Sequence, residues 1–498
     1  MNDTEQKKLM KARGICVIIP TYNNAGTIRQ VVTEALGQCD DVIVVDDGST
    51  DGTSEILRSI EGITLVAYER NRGKGHALRE GFRRALAMDF AYAVTLDADG
   101  QHYPADIAKF VAANRQHPGA LIVGCRQMKG AVRTKGSIFA NKFSNFWFYI
   151  QTGRHLTDTQ TGYRLYPLRR LHGLSLLSAR YEAELQLLVF ASWHGTRLEP
   201  IDVDVYYPPI GERVSHFRPG KDFARIFALN TLLCFLAVVY GLPLRLWRAL
   251  ASFMRTAYSI AFFLFHSLFV FTPMVWFDFK LGKVTEKKRR RLHHLIYFAS
   301  RFVMIHHGIP GTKFRYRLGD KVDFDKPRII ICNHQSHLDL MCQLVFTQNI
   351  VFLTNQRIYD NPFYGVLIRN AEYLAVRTGM DEILPHVRSL VERGYSVAVF
   401  PEGTRSLDCS IGRFHKGAFY LAQQLGLEIM PMCLYGAGKI LPKHSRHLRK
   451  GTFYIEVGNP ISQAELQAMG DLRQQAQEMR RRYKAKYEEI SNEIEKDA

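Results

Sequence analysis

A chain of 498 residues is longer than one hydrophobic core organises and predicts two to four domains. Hydrophobic residues at 47% and charged residues at 23% exclude a disordered or fibrous chain. The formal net charge of +19 fits nucleic acid, an anionic membrane surface or phosphate-bearing substrates, and no zinc-finger or RNA-recognition pattern supports the first.

The first residues are polar and charged, which predicts no secretory signal. From Cys16 to about Tyr207, short apolar runs alternate with helical patterns: Cys16–Pro20, Asp41–Asp46, Ile63–Tyr68 and Tyr92–Asp97. That rhythm predicts βαβ units on a largely parallel sheet. Chemistry in such sheets gathers at the carboxyl ends of strands. The polar clusters Pro20-Thr21-Tyr22, Asp46-Asp47-Gly48 and Asp97-Ala98-Asp99 fall there.

The rhythm breaks near Lys221. Ile226–Pro243 and Ala257–Phe277 are almost wholly apolar. As helices they would rise roughly 27 and 32 Å, enough for a ~30 Å hydrocarbon core. Arg245, Arg248 and Arg255 lie in or beside their connector, so three readings stay open: a spanning hairpin, two helices in the membrane interface, or a hairpin buried in a soluble domain. The outer flanks are more basic, and the run Lys287–Arg291 reads as a headgroup-facing patch. Positive-inside bias then predicts an inner (cytoplasmic) membrane protein with both flanking domains facing the cytoplasm.

A second α/β rhythm follows, with strands in Arg328–His334, Tyr395–Gly403 and Glu428–Gly436 that end in polar residues; from about Ala464 a charged surface helix is expected. The eight cysteines (Cys16, Cys39, Cys125, Cys234, Cys332, Cys342, Cys409, Cys433) include no C-x-x-C pair and read as reduced thiols. The expected boundaries are 13–222 for the first domain and 223–285 for the apolar helices. The second domain is expected at 286–465 and the terminal helix at 466–498.

Two carboxylates two residues apart at a strand tip, Asp97 and Asp99, suit a hard divalent cation such as Mg²⁺ or Mn²⁺ that also bridges a diphosphate. Alone, such a pair more often forms a turn. Its company changes that. Pro20–Ile28 (PTYNNAGTI), Val44–Thr53 (VVDDGSTDGT), Asn71–Leu78 (NRGKGHAL), Leu96–His102 (LDADGQH) and Asp158–Tyr166 (DTQTGYRLY) occur in that order. Together they resemble the family 2 glycosyltransferases of GT-A fold, a Rossmann-like mixed sheet, particularly the dolichyl-phosphate mannose synthase-like branch. The resemblance implies that Pro20, Tyr22 and Asp47 line a nucleoside pocket, with Lys74 near the donor. It implies Asp97 and Asp99 as metal ligands with Gln101 beside them, and Arg126 and Arg164 facing donor or acceptor phosphates. No Q-x-x-R-W signature is present, so transfer of a single sugar fits better than polymerisation. A hydroxyl acceptor needs a general base, for which Asp158 is the best placed, with Glu182 and Glu184 behind it; a lipid phosphate needs none.

In the second half, His334 leaves an apolar strand and Asp339 follows five residues on. A histidine so placed takes a hydroxyl proton while the aspartate fixes its tautomer. About 60 residues later comes Phe400–Ser406 (FPEGTRS). The pair of motifs resembles the glycerolipid acyltransferases that acylate lysophosphatidic acid, an α/β fold. The likeness implies His334 as base and Asp339 as its orienter, with His337 only a neighbour. It implies Arg377, Glu402, Gly403 and Arg405 around the acyl acceptor, and acyl-CoA or acyl-carrier protein as donor. Asn355 stands where that family usually has lysine, which favours an uncharged lipid hydroxyl unless Arg357 compensates. The expectation is a membrane-bound bifunctional transferase using a nucleotide-sugar and a lipid acceptor. No nucleic-acid partner is expected.

Overall fold

The computed structural model describes residues 3–126, 135–173, 180, 182–206, 219–266, 269, 273, 284–306, 308–354, 356–360, 365–376 and 379–496. It forms two compact units, Met1–Arg248 with Ile494–Ala498, and Ala249–Glu493.

The first unit is built on strands β1 (Ile15–Thr21), β2 (Val42–Asp46), β3 (Ile63–Ala67), β4 (Tyr92–Thr95), β5 (Leu121–Arg126), β6 (Arg164–Pro167) and β7 (Leu198–Val203). Their order is β3-β2-β1-β4-β6-β5-β7. Only β6 runs antiparallel to its neighbours. The unbroken apolar run in β1 follows from burial on both faces. Ile15, Val17 and Ile19 enter one core, while Cys16 and Ile18 enter the other. Strand order reverses at β1, with β2 and β4 on either side, so the carboxyl ends of these strands open a crevice there.

The second unit repeats the logic with β8 (Thr312–Leu318), β9 (Ile329–Cys332), β10 (Ile350–Thr354), β11 (Leu374–Ala375), β12 (Ser396–Val399), β13 (Ile429–Tyr435) and β14 (Gly451–Val457). The order is β11-β10-β12-β9-β13-β14-β8, with β13 and β14 the antiparallel pair. The fully buried β9 lies between β12 and β13, at the sheet's own reversal point.

The expected apolar hairpin is corrected to a single long helix. Pro219–Leu236, a π turn at Ala237–Gly241 and Leu242–His266 run on without a break. The apolar helix Ala224–His266 has 43 residues, and its most apolar stretch has a mean hydropathy of 2.0. Pro243 reads in sequence as a helix stop, because proline has no N–H for the helical ladder. The π turn immediately before it relaxes the hydrogen-bond register and lets the helix continue. Beyond His266 most of the second apolar run lies outside the described residues.

Two surface expectations also change. In the basic run, Arg289 pairs with Glu372 at 3.0 Å and Arg290 with Glu286 at 3.4 Å, so part of its charge is spent inside the unit. The C-terminal helix Leu472–Lys496 is not only a charged surface element: Ala476, Met479, Tyr483 and Ile490 are buried. The Tyr483 hydroxyl donates to the Ile331 carbonyl at 2.7 Å, tying this helix to β9.

Candidate active sites

In the first unit Pro20 and Thr21 end β1, Asp46 ends β2, and Asp97 lies just beyond β4. Thus the four motifs that follow β1 to β4 meet at the crevice because parallel strands all point their carboxyl ends to one side, and the fifth joins them at the start of the antiparallel β6. Asp47 accepts from the backbone N–H groups of Arg72 (2.9 Å) and Gly73 (2.7 Å), holding the NRGKG loop against β2. Tyr22 is half-buried nearby in the chain and Gln101 half-buried beside Asp99. The Gln101 N–H donates to Asp99 at 3.0 Å.

The electrostatic centre is Lys74. Its ammonium lies 2.6 Å from Asp97 and 3.1 Å from Glu184. Burial opposes the charged lysine, but the two carboxylates overcome it and hold its pKa above the ordinary value. Burial would also raise Asp97; Lys74 and His102 outweigh it and hold the carboxyl low. Asp99, by contrast, is pushed up by burial and then by the charge of Asp97. Two adjacent carboxylates, one of them short of positive charge, form a site that a divalent cation relieves. Among the described residues no group of three or more His, Cys, Asp or Glu is placed to hold a metal alone. Mg²⁺ usually takes one or two carboxylates plus substrate phosphates, and Asp97 and Asp99 supply two. The residues therefore fit the implied ion.

Sequence reasoning missed two members of this site. The buried His102 ring lies 4.9 Å from that of Tyr163, and its Nδ1 accepts from the Asp97 N–H at 3.5 Å. At Gly162 a Cβ would sit 2.7 Å from both Asp97 Oδ2 and Lys74 Nζ, so any side chain there would displace the pair. Both residues lay inside quoted motifs, LDADGQH and TGYR, without a role.

Two expected roles are corrected by geometry. Arg164 does not face a phosphate: it is fully buried and donates to the carbonyls of Glu184 (2.7 Å) and Thr159 (2.9 Å). Asp158 is 1% exposed, and Arg126 engages both of its oxygens at 2.6 and 2.9 Å. Both oxygens of this carboxylate are thus engaged, and its partner Arg126 is half-buried whereas Arg164 is fully buried. Glu184, sought as a reserve base, is instead the second partner of Lys74.

In the second unit His334 follows β9. Its Nδ1 lies 2.8 Å from Asp339 Oδ2, which also accepts the N–H groups of Gln335 (2.6 Å) and Ser336 (2.8 Å). Asp339 is fully buried at the start of the helix Asp339–Leu344, where the positive end of the helix favours a carboxylate. With Nδ1 committed, Nε2 is the atom left to take a proton; it has no protein partner among the described residues. The Phe400 ring stacks on the imidazole at 4.1 Å and fixes its plane. Asn333 adds a brace that the motif does not announce, exchanging 2.8 Å bonds with both backbone groups of Leu434.

Glu402 is corrected from acceptor contact to scaffold. Its oxygens accept the N–H groups of His334 (2.8 Å) and Gly412 (2.7 Å), and burial raises its pKa against those bonds. Gly403 turns the chain at φ 66 and is exposed. Arg405 is half-buried and has no carboxylate partner among the described residues. Burial lowers the His337 pKa, and the Arg405 and His334 charges lower it further; His337 is exposed and takes no part in the His334–Asp339 bond. Arg377 and Asn355 lie outside the described residues, as does the Arg357 side chain.

Residues 16–167 match the model of glycosyl transferase family 2, and residues 313–435 match that of the acyltransferase family. The chain is 30% identical over 216 residues to a UDP-N-acetylglucosamine–dolichyl-phosphate N-acetylglucosaminyltransferase of Methanococcus voltae, covering 39% of this chain and 86% of that one. The chain belongs to glycosyl transferase family 2. An undecaprenyl-phosphate mannosyltransferase of Micrococcus luteus is 28% identical over 215 residues, covering 40% of this chain and 86% of that enzyme. For the other half, a chloroplastic 1-acyl-sn-glycerol-3-phosphate acyltransferase of Brassica napus is 33% identical over 190 residues, or 36% of this chain. This chain spans about half (54%) of that plant enzyme. A family 2 glycosyltransferase with an acyltransferase domain is thus an enzyme with two activities.

Proposed function

We propose that this glycosyltransferase–acyltransferase acts at a membrane, on the cytoplasmic face of the inner membrane, and makes an acylated glycolipid. The first site transfers one sugar from a nucleotide-sugar to a lipid acceptor; the second transfers a fatty acyl group to a hydroxyl. The observation that carries the proposal is that one chain holds two sites with their charged groups assembled, Lys74–Asp97–Asp99 and His334–Asp339. Tethering raises the effective concentration of one product at the other site.

In the first reaction the bond from the sugar's anomeric carbon to the diphosphate breaks as the acceptor oxygen bonds to that carbon. Asp97 and Asp99 would hold Mg²⁺ or Mn²⁺, which neutralises charge on the departing diphosphate. Lys74 keeps Asp97 ionised, and Gly162 leaves room beside it. In the second reaction His334 Nε2 takes the acceptor hydroxyl proton as the oxygen attacks the thioester carbonyl of acyl-CoA or acyl-carrier protein. The carbon–sulfur bond breaks and the imidazolium returns its proton to the departing thiolate. Asp339 holds the imidazole tautomer and stabilises the imidazolium.

A second reading, a polyprenyl-phosphate glycosyltransferase joined to an independent phospholipid acyltransferase, is favoured by the Arg126–Asp158 pair. With that carboxylate engaged, an acceptor phosphate that is already ionised suits the first site. Mass spectrometry of lipids from cells carrying Asp99→Ala or His334→Ala separates the two. Loss of one and the same lipid in both, with its unacylated precursor in the second, is the expected result. Loss of unrelated lipids selects the second reading.

A further inference from the structure

Between β13 and β14 of the second unit, Lys439, Lys443, Arg446, Arg449 and Lys450 occur with no acidic residue among them. Lys443 is half-buried, while Arg446, Arg449 and Lys450 are exposed. Among the described residues none of these last four pairs with a carboxylate, unlike Arg289 and Arg290 in the run that the sequence singles out.

Both ends of this loop are tied down. At the active site, the Ser336 hydroxyl donates to the Leu441 carbonyl at 3.0 Å and Lys443 Nζ donates to the Arg405 carbonyl at 2.9 Å. At the apolar helix, Ser252 Oγ and Arg255 Nη1 donate to the Leu448 carbonyl at 3.0 and 3.2 Å. The Leu448 N–H donates to Thr256 Oγ1 at 2.9 Å. Ser252, Arg255, Thr256 and Ser259 recur every three or four residues, so they form the one polar face of this stretch. The opposite face is apolar and exposed: Leu250 by 51%, Phe253 by 56%, Met254 by 57% and Phe265 by 56%.

We infer that the Lys439–Lys450 loop is an anionic-lipid docking surface at the mouth of the acyltransferase site, with the helix from Ala249 to His266 lying in the membrane plane beside it. The inference rests on the membrane reading above and deepens it. An in-plane helix needs a broad apolar face for the lipid and a polar face toward its own domain, and this stretch has both. Unpaired cations flanking such a helix meet the headgroup layer, where each Lys or Arg favours anionic lipid. An acidic carrier protein would satisfy the charge but leave the exposed apolar arc unexplained. The loop's bonds to Ser336 and Arg405 place lipid recognition next to the residues that handle the lipid acceptor.

The test is co-sedimentation of the full-length protein with phosphatidylcholine vesicles and with mixed phosphatidylcholine–phosphatidylglycerol vesicles. The wild type is expected to bind both and to prefer the anionic ones. The Arg446→Ser, Arg449→Ser, Lys450→Ser triple variant should lose that preference by about 100-fold while keeping its binding to neutral vesicles. Exchanging the same three for the other cation (Arg446→Lys, Arg449→Lys, Lys450→Arg) should restore it, which separates charge from folding. A wild type that binds both vesicle types equally, or a triple variant that keeps the preference, overturns the inference and leaves the membrane reading standing. A wild type that binds neither overturns both. Unchanged vesicle binding with lost binding of acyl-carrier protein assigns the loop to a protein and overturns the lipid proposal.

Discussion

Single side chains do different work in the two sites. In the first, one ammonium balances Asp97 and Glu184 in a buried setting, so the site is charge-coupled before any ligand arrives. In the second, Asp339 is bound by an imidazole and two backbone N–H groups, which fixes geometry rather than charge. A third residue gives the fold a pH dependence. His293 is buried, donates from Nε2 to the Ala371 carbonyl at 3.0 Å, and leaves Nδ1 without a partner. Burial lowers its pKa from 6.5 to about 4. A depressed histidine favours the neutral folded form, so between these values the unfolded chain binds the extra proton. Stability is therefore full above pH 6.5 and falls by about 3 kcal/mol as pH drops to about 4. Thermal melting between pH 7 and pH 4.5 should show this loss, and His293→Gln, which keeps a donor, should flatten it.

Among elements, the C-terminal helix Leu472–Lys496 carries more than its composition suggests. Its sequence is so rich in Lys, Arg and Glu that the buried stripe of Ala476, Met479, Tyr483 and Ile490 is easily overlooked. Tyr483 bonds to the residue before Cys332, two positions ahead of the Asn333-His334 turn. Tyr483→Phe leaves a buried carbonyl without that donor and should cost about 1–2 kcal/mol. Tyr483→Ala should cost about 3–5 kcal/mol and lower acyl transfer in parallel. Denaturation midpoints and acyl-transfer rates measured on the same preparations check both. The long apolar helix is the other element shaped by detail: a Cβ at Gly241 would meet Trp193 at 2.7 Å, so the π turn packs backbone against the indole.

At the scale of the whole chain, the two sites rest on different chemistry. In the proposed reading the first gathers carboxylates for a divalent cation, and the second a proton-transfer pair with its carboxylate turned inward. A chelator should therefore abolish sugar transfer and leave acyl transfer within about twofold in the same sample. Paired assays before and after adding Mg²⁺ or Mn²⁺ check it, and equal loss of both activities would contradict the division.

The sequence alone pointed to both candidate sites, because strand-end motifs such as LDADGQH and NHQSHLD are local and the topology brings strand ends to one edge of a parallel sheet. It also determined two α/β domains, because continuous apolar strands have meaning only when both faces are covered. What it left open were pairings between distant residues. Only the tertiary structure decided that Asp158 serves Arg126, that Arg164 is spent on carbonyls, and that Glu402 braces His334. A carboxylate's role depends on which donor reaches it first, and no motif records that. The same holds for charge: the compact run Lys287–Arg291 catches the eye, yet Arg289 is paired with Glu372, far away in sequence, and Arg290 with Glu286, one helical turn away. Arg446, Arg449 and Lys450, dispersed along the loop between β13 and β14, have no carboxylate partner among the described residues.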